Sequence, residues 1–178
     1  LKGNINIDKP GDKTLDVSDH SNMRMIGQFG ETVKKIKTLQ AISVEEIRPG
    51  VFIYDMGQNM AGVPNISLNR LLPGSKIVLR FAEVKYPAME AYKDTKGMVM
   101  LENIRAAMSQ EIYIAKGGNE IINPRFTYHG YRYIEITGLK QALPLNAVKG
   151  DVISSIHEFA GNYESSNTKV NKLWENIK

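Results

Sequence analysis

The chain reads as all-β: an antiparallel β-sandwich of the jelly-roll kind, closed by one short C-terminal α-helix. Three observations predict this. Short runs rich in β-branched residues follow one another, separated by Pro- and Gly-containing turns. Within KIVLRFAEV (76–84) the apolar residues Ile77, Leu79 and Phe81 recur at period two, the mark of a strand with one buried face. Only at the end do apolar residues take helical spacing: Val170, Leu173, Trp174 and Ile177 fall at i, i+3, i+4 and i+7.

Residues 1–30 read as a polar tail or linker, broken by Pro10. Asp8, Asp12, Asp16 and Asp19 recur there, but without the alternate-position oxygens and turn glycine of a calcium loop. From residue 31 to 163 we expect the sandwich. TVKKIKTLQAISVEEI (32–47) is its first extended run, ended by RPG (48–50). VFIYDM follows, with a turn at GQN (57–59), where Gly57 admits positive φ and Asn59 can bond nearby backbone. MAGVPNISLNRLL runs to PGS (73–75), and QEIYIAK to GGN (117–119). Residues 88–109 exceed a hairpin loop and suggest an excursion with a short helix around LENIRAAM. RFTYHGYRYIEITG (125–138) and DVISSIHEF (151–159) complete the strand candidates. Residues 164–178 form the helix, with Ser166 or Asn167 as its N-cap. A helix of about eleven residues is marginal alone in water, so its apolar stripe needs a partner surface.

Composition narrows the function. The 178 residues, 42% of them apolar, suffice for a real core. No run approaches the ~20 apolar residues of a membrane span. The absence of cysteine excludes disulfides, thiolate nucleophiles and Cys-based zinc sites. The net charge of +4 is scattered, and VKKIK (33–37) alternates as the wet face of a strand does, so nucleic acid is not an expected partner. The N-terminus lacks a signal-peptide layout, and its start at Leu1 suggests a cut from a longer parent.

The usual catalytic signatures are missing: there is no nucleophile elbow, phosphate loop or dinucleotide fingerprint. His157-Glu158 opens like a zinc-protease motif, but position 161 is Gly161. We expect no metal and no cofactor. Asn65-Ile66-Ser67 is a formal glycosylation triplet. Strict alternation would turn Glu83 toward the core beside Ile77, Leu79 and Phe81, where a carboxylate needs compensation. An ion pair with Arg125 or Arg132 is the expected answer. In 125–138, alternation puts Phe126, Tyr128, Arg132, Ile134 and Ile136 on one face. Thr127, His129, Tyr131, Tyr133 and Glu135 fall on the other. One face should be core and the other a polar-aromatic surface suited to a neighbouring domain or, less favoured, a sugar. Gly130 between them suggests a bulge or close approach.

GVFIYDMGQNMAG (50–62), LRFAEV (79–84), ENIRAA (102–107), YIAKGG (113–118) and PRFTYHGYRYIEITG (124–138) together resemble the bacterial α-L-rhamnosidases. Specifically, they are similar to the concanavalin-like β-sandwich that precedes the catalytic (α/α)6 barrel of those enzymes. The likeness runs from about Gln28 to the end, and GNYESSNTKVNKLWENI resembles the passage into the first barrel helix. It implies an accessory, non-catalytic domain of an inverting glycoside hydrolase that removes terminal rhamnose from glycans. Its partner would be the rest of its own polypeptide, with a glycan as a second, and the parent would be periplasmic or secreted. A carbohydrate-binding module is the alternative, and a self-contained small glycosidase a remoter one. The family's catalytic carboxylates belong to the barrel, so none transfers here. Its calcium-dependent rhamnose module is a different sandwich, so no metal ligand transfers either. Asp55, Gln58, Asn59, Glu83, Arg125, Tyr128, His129, Tyr131 and Arg132 remain as candidate structural or interface residues.

Overall fold

The computed structural model describes Arg24 and residues 26–177, apart from Ala106 and His157. The expected tail over 1–30 and the His157-Glu158 motif therefore fall largely outside the described residues. Among the described residues eight strands and one α-helix follow in order: β1 (Lys34–Gln40), β2 (Ser43–Arg48), β3 (Val51–Leu71), β4 (Lys76–Ala82), β5 (Gln110–Ile114), β6 (Gly118–Ile122), β7 (His129–Thr137), β8 (Val148–Ser154) and α1 (Thr168–Ile177). Every strand pairing is antiparallel, as a concanavalin-like sandwich requires.

β3 joins the two layers. Its first residues, 51–55, pair with β2 on one side and β7 on the other. Residues 62–66 pair with β8, and 66–71 with β6. One layer therefore runs β2-β3-β7-β4-β5, and the other β1-β8-β3-β6. A strand that changes sheets needs an irregularity to bend it. β3 has one between Asp55, opposite Tyr133, and Met60, opposite Tyr131. The GQN expected as a turn between strands is thus a bulge inside one 21-residue strand.

The core lies between the layers. Phe52, Tyr54 and Met56 enter it from the first half of β3, and Ile66 and Leu68 from the second. Ile77, Leu79 and Phe81 of β4 are fully buried, as their alternation predicted. The Tyr54 hydroxyl donates to the Leu143 carbonyl (2.9 Å), and burial pushes its pKa up to about 12.

β7 departs from strict alternation. Tyr131, Ile134 and Ile136 share one core, so the expected split of Tyr131 from the two isoleucines is wrong. The face changes where the register to β3 breaks, between Tyr131 and Tyr133. Phe126 and Tyr128 are not core residues: they precede the strand and are 96% and 65% exposed. Gly130 pairs regularly with Ala61 and would tolerate a Cβ, so neither a bulge nor a close approach lies there.

The remaining elements match the expected runs in part. TVKKIKTLQAISVEEI divides into β1 and β2, with Ala41 and Ile42 between them. β6 occupies residues partly read as turn. The last strand begins at Val148, earlier than expected. The excursion holds two single 3-10 turns, at Glu90–Tyr92 and Glu102–Ile104, and the second is the short helix expected around LENIRAAM, reduced to one turn. It folds back on itself through Tyr86–Met98 and Met100–Val84 backbone bonds. Val99 and Leu101 pack on Ile53, Ala82 and Tyr133, covering the outer face of the first layer.

Beneath that cover lies a charged pair. Glu135, 2% exposed, accepts the Arg80 Nε–H at 2.6 Å, and Arg80 Nη2 also contacts it. Glu135 Oε2 has no protein partner. Asp151, also buried, accepts from Thr38 (2.7 Å) and from the Asn65 side chain (3.1 Å). The amide of the formal glycosylation triplet is therefore engaged within the fold.

The helix is not docked on the sandwich, so its stripe takes no partner from that surface, one of those open to it. None of its residues is buried, and Leu173 and Ile177 are 58% and 68% exposed. Trp174 meets Tyr163 (ring centroids 6.3 Å apart) and donates to Asn162 at 3.3 Å. Ser165 and Asn171 bond reciprocally, and Asn167 Oδ1 accepts the Lys169 N–H as the N-cap (3.0 Å).

Two stability outcomes follow. Arg80→Met strands the Glu135 carboxylate in a buried place and should cost ~3–5 kcal/mol in denaturant melts. Gly138 has φ +90°, and a Cβ there would run into the Lys76 carbonyl oxygen. Gly138→Ala should cost ~2–4 kcal/mol, whereas Gly161→Ala, with open space around it, should stay within about 0.5 kcal/mol.

Candidate functional site

The antiparallel ladder brings the end of β4, the start of β7 and the β3 bulge to one end of the sandwich, and most candidate residues gather there. At the bulge Gly57 has φ +81°, which is why a glycine stands there. Its N–H donates to Asp55 Oδ1 at 2.7 Å. The same carboxylate receives Arg132 through two bonds of 2.9 Å, Nε to Oδ1 and Nη2 to Oδ2. This fork-to-fork pair holds the Asp55 carboxyl below the usual carboxylate range, the Arg132 hydrogen bonds being the main cause and partial burial opposing them. Arg132 in turn is raised, chiefly by Asp55.

Both cations nearby touch Tyr133. Arg132 lies 5.2 Å and Lys85 5.5 Å from its ring centre, and Lys85 also meets Glu45 at 3.4 Å. Asn59 donates to Glu83 Oε1 (3.0 Å), and Lys37 donates to Gln58 (3.2 Å).

Glu83 is therefore not a core carboxylate paired with Arg125 or Arg132. β4 ends at Ala82, so the alternation that would have turned Glu83 inward stops one residue short and leaves it exposed. Arg132 belongs to Asp55, and Arg125 lies outside, 5.9 Å from the Phe126 ring centre. The buried carboxylate that does pair with an arginine is Glu135, which alternation assigned to the polar-aromatic face.

His129 sits at the strand start, stacked on Phe81 with centroids 4.2 Å apart and planes 9° from parallel. Its Nε2 lies 3.1 Å from Glu111 Oε1, which also accepts from Thr127 Oγ1 at 2.7 Å. Its Nδ1 is 3.4 Å from Ser109 Oγ. The sequence reading missed Ser109 and Glu111. The order Ser–His–Glu has the look of a nucleophilic triad, but a 3.4 Å contact is too long for a good serine–base bond. Its evident effect is to tie the end of the excursion to β5 and β7. Tyr131 is buried, its hydroxyl has no protein partner, and burial pushes its pKa far up. It lies against Gly150, where a Cβ would stand 2.6 Å from the hydroxyl. Among the described residues no group of three or more His, Asp or Glu is placed to hold a metal ion.

The fold and this polar end define an antiparallel sandwich domain whose best-built features are clamps between strands. Residues 45–154 match the family described as the bacterial alpha-L-rhamnosidase concanavalin-like domain, and the chain belongs to that family. It is 35% identical over 155 residues to an α-L-rhamnosidase of Streptomyces avermitilis, covering 86% of this chain and 14% of the relative. To an α-L-rhamnosidase of Alteromonas sp. it is 35% identical over 148 residues, 82% of this chain and 15% of the relative. The solved α-L-rhamnosidase from Dictyoglumus thermophilum superposes with a TM-score of 0.75 at 34% identity, over 84% of this chain and 16% of that one. The chain thus spans about a seventh of the length of the curated relatives it matches.

Asp55→Asn should cost ~1–3 kcal/mol at neutral pH, since it weakens charge-assisted bonds. A carboxylate whose folded pKa is depressed stabilises above its unfolded value and loses that contribution as pH falls through the folded one. The gap between native and Asp55→Asn melting temperatures should therefore close below about pH 4. Glu83→Ala, by contrast, should cost less than ~1 kcal/mol in the same melts.

Proposed function

We propose that this chain is the accessory, non-catalytic β-sandwich of an α-L-rhamnosidase that removes terminal α-L-rhamnose from glycans, and that it braces the enzyme's catalytic barrel. The observation that carries the reading is the family match over 45–154 in a chain that covers only 14% of its Streptomyces relative. Its own chemistry agrees: the candidate carboxylates are committed to strand clamps, Asp55 to Arg132, Glu111 to His129 and Thr127, and Glu83 to Asn59.

In this reading residues 31–163 are the sandwich, 1–30 lead into it, and 164–178 begin the first barrel helix. The exposed stripe of Val170, Leu173 and Ile177 is then covered by the remainder of the enzyme, as are Phe126 and Tyr128. Asp55, Gln58, Asn59, Glu83, His129 and Arg132 hold the shape of the adjoining end. A periplasmic or secreted parent fits a substrate built of glycans. The alternative, a carbohydrate-binding module, is favoured by one feature. Phe126 and Tyr128 flank an open depression with Val63, Ala61 and Ile153, a surface on which a sugar ring could stack.

This chain should show no hydrolysis of aryl α-L-rhamnosides. Turnover that survives repurification would overturn the accessory reading. Binding of L-rhamnose or neutral rhamnosides that Phe126→Ala abolishes would favour the module instead. Truncation before Asn167 should leave the melting temperature unchanged, because the helix buries nothing on the sandwich.

A further inference from the structure

The opposite end of the sandwich carries a cleft that the accessory role does not use. β4 and β7 run antiparallel, with Lys76 and Gly138 at this end and Ala82 and His129 at the other. The cleft, about 840 Å³, opens between the far end of β3 and the β7–β8 connection, residues 138–144.

Both walls are fixed. The 138–144 segment is held by Gly138, packed so that any Cβ would collide with the Lys76 carbonyl, and by the Tyr54 hydroxyl on the Leu143 carbonyl. On the β3 side the ladder to β6 passes from Leu68–Glu120 to Leu71–Gly118. Asn69 and Arg70 thus face Asn119 alone and are pushed out of register. Arg70 takes φ +56°, a left-handed conformation that costs a non-glycine residue energy, and its N–H is held by Asn119 Oδ1 at 3.2 Å.

The lining combines three chemistries. Leu71, Leu139 and Leu143 give an aliphatic floor continuous with the core. Asn69, Asn119 and Gln141 offer amides. Arg70 and Lys140 bring two cations to the same cleft, and among the described residues neither has an acidic partner. Among the described residues no carboxylate lines the cleft. A concave site with an apolar floor and a few convergent polar groups has the build that ligand sites share. Two unpaired cations select for an anion, with Arg70 offering a two-pronged donor suited to a carboxylate. The amides suit hydroxyl groups beside it.

We infer that this cleft binds an acidic saccharide, through the carboxylate of a uronic acid residue seated between Arg70 and Lys140. The anion requirement stands on the cleft alone. The saccharide part rests on the proposed role in a glycan-cleaving enzyme. The site would anchor a charged stretch of the polymer away from the polar end.

The test is NMR titration of this 178-residue chain with a trimer of galacturonic acid, and with the same trimer after reduction of its carboxyls to alcohols. The acidic trimer should shift the amides of 69–72, 119 and 138–143 and bind at least tenfold more tightly than the reduced one, the more so at low salt. Arg70→Gly with Lys140→Ala should weaken it at least tenfold. Glycine adopts φ +56° freely, so this variant should melt no lower than the native chain and the loss cannot be laid to unfolding. Shifts elsewhere, equal binding of the reduced trimer, or no binding at millimolar concentration would overturn the site. A triglutamate peptide that binds as tightly as the sugar would overturn the saccharide assignment. Rhamnose appears in none of these arms, so the outcome is separate from that of the accessory role.

Discussion

The sandwich depends on β3 changing sheets without breaking. A strand that leaves one layer for the other must stop pairing with its first neighbours and take up new ones while its buried face keeps pointing inward. β3 does this across residues 56–59, which stand outside its ladder with β7. Phe52, Tyr54 and Met56 before the bulge and Ile66 and Leu68 after it enter one core. The bulge is pinned where it begins: Asp55 accepts both the Gly57 N–H and the Arg132 fork, so one carboxylate fixes the turn of the backbone and its attachment to β7. A bidentate pair suits this work better than a single bond, because two parallel bonds set an orientation as well as a distance. Glycines follow the same constraint. Gly62 sits where β3 is flanked by both β7 and β8, and a Cβ there would stand 2.7 Å from the Asp151 carbonyl oxygen.

Charges inside the molecule are treated in two ways. Asp151 is surrounded by neutral donors from Thr38 and Asn65, with Lys35 reaching it at 3.7 Å from the surface. Glu135 is instead matched to Arg80 on the neighbouring strand and then covered by the excursion. The excursion thus gives the outer face of the first layer an apolar cover, and of the pair Glu135 is withdrawn from water while Arg80 stays partly exposed. A bare sheet face would have left Arg80 and Glu135 exposed and of little energetic consequence.

The fold was legible because its main signal is local. Alternation in 76–82, turn residues between runs and helical spacing after 167 each follow from which side chains must be buried, and a reader needs no long-range information to find them. The errors share a different origin. Glu83 was turned inward because alternation was carried one residue past the strand's end, and the end is set by where pairing stops. Tyr131 was separated from Ile134 because the irregular register lies in the partner strand's GQN, nine strand residues of β7 giving no sign of it. His129 stands out in its own aromatic stretch, but Ser109 and Glu111 come from a segment about twenty residues earlier that only the tertiary fold places beside it. Asp55 and Arg132 were both singled out, but as separate members of two motifs. Their pairing needed the β3–β7 register.

That register also explains why the two ends of the molecule differ. At the end where β7 starts, polar side chains are used up on one another: Asp55 by Arg132, Glu83 by Asn59, Glu111 by Thr127 and His129. Mutual satisfaction of this kind makes a rigid surface with little left to offer a small ligand, and it suits an end that meets another protein surface of fixed shape. At the end where β7 finishes, the second irregularity of β3 has the opposite result. The bulge at Asn69 and Arg70 spends a backbone N–H on Asn119 and turns Arg70's side chain out without an acidic neighbour. One long strand therefore carries two bulges with different consequences. The first is closed by an arginine from the neighbouring strand, and strain there is relieved by Gly57. The second keeps a non-glycine residue in a left-handed conformation, an energetic cost that packing alone does not require, since glycine would fit the backbone better. A cation held in that conformation beside Lys140 is the feature on which the proposed anion site rests.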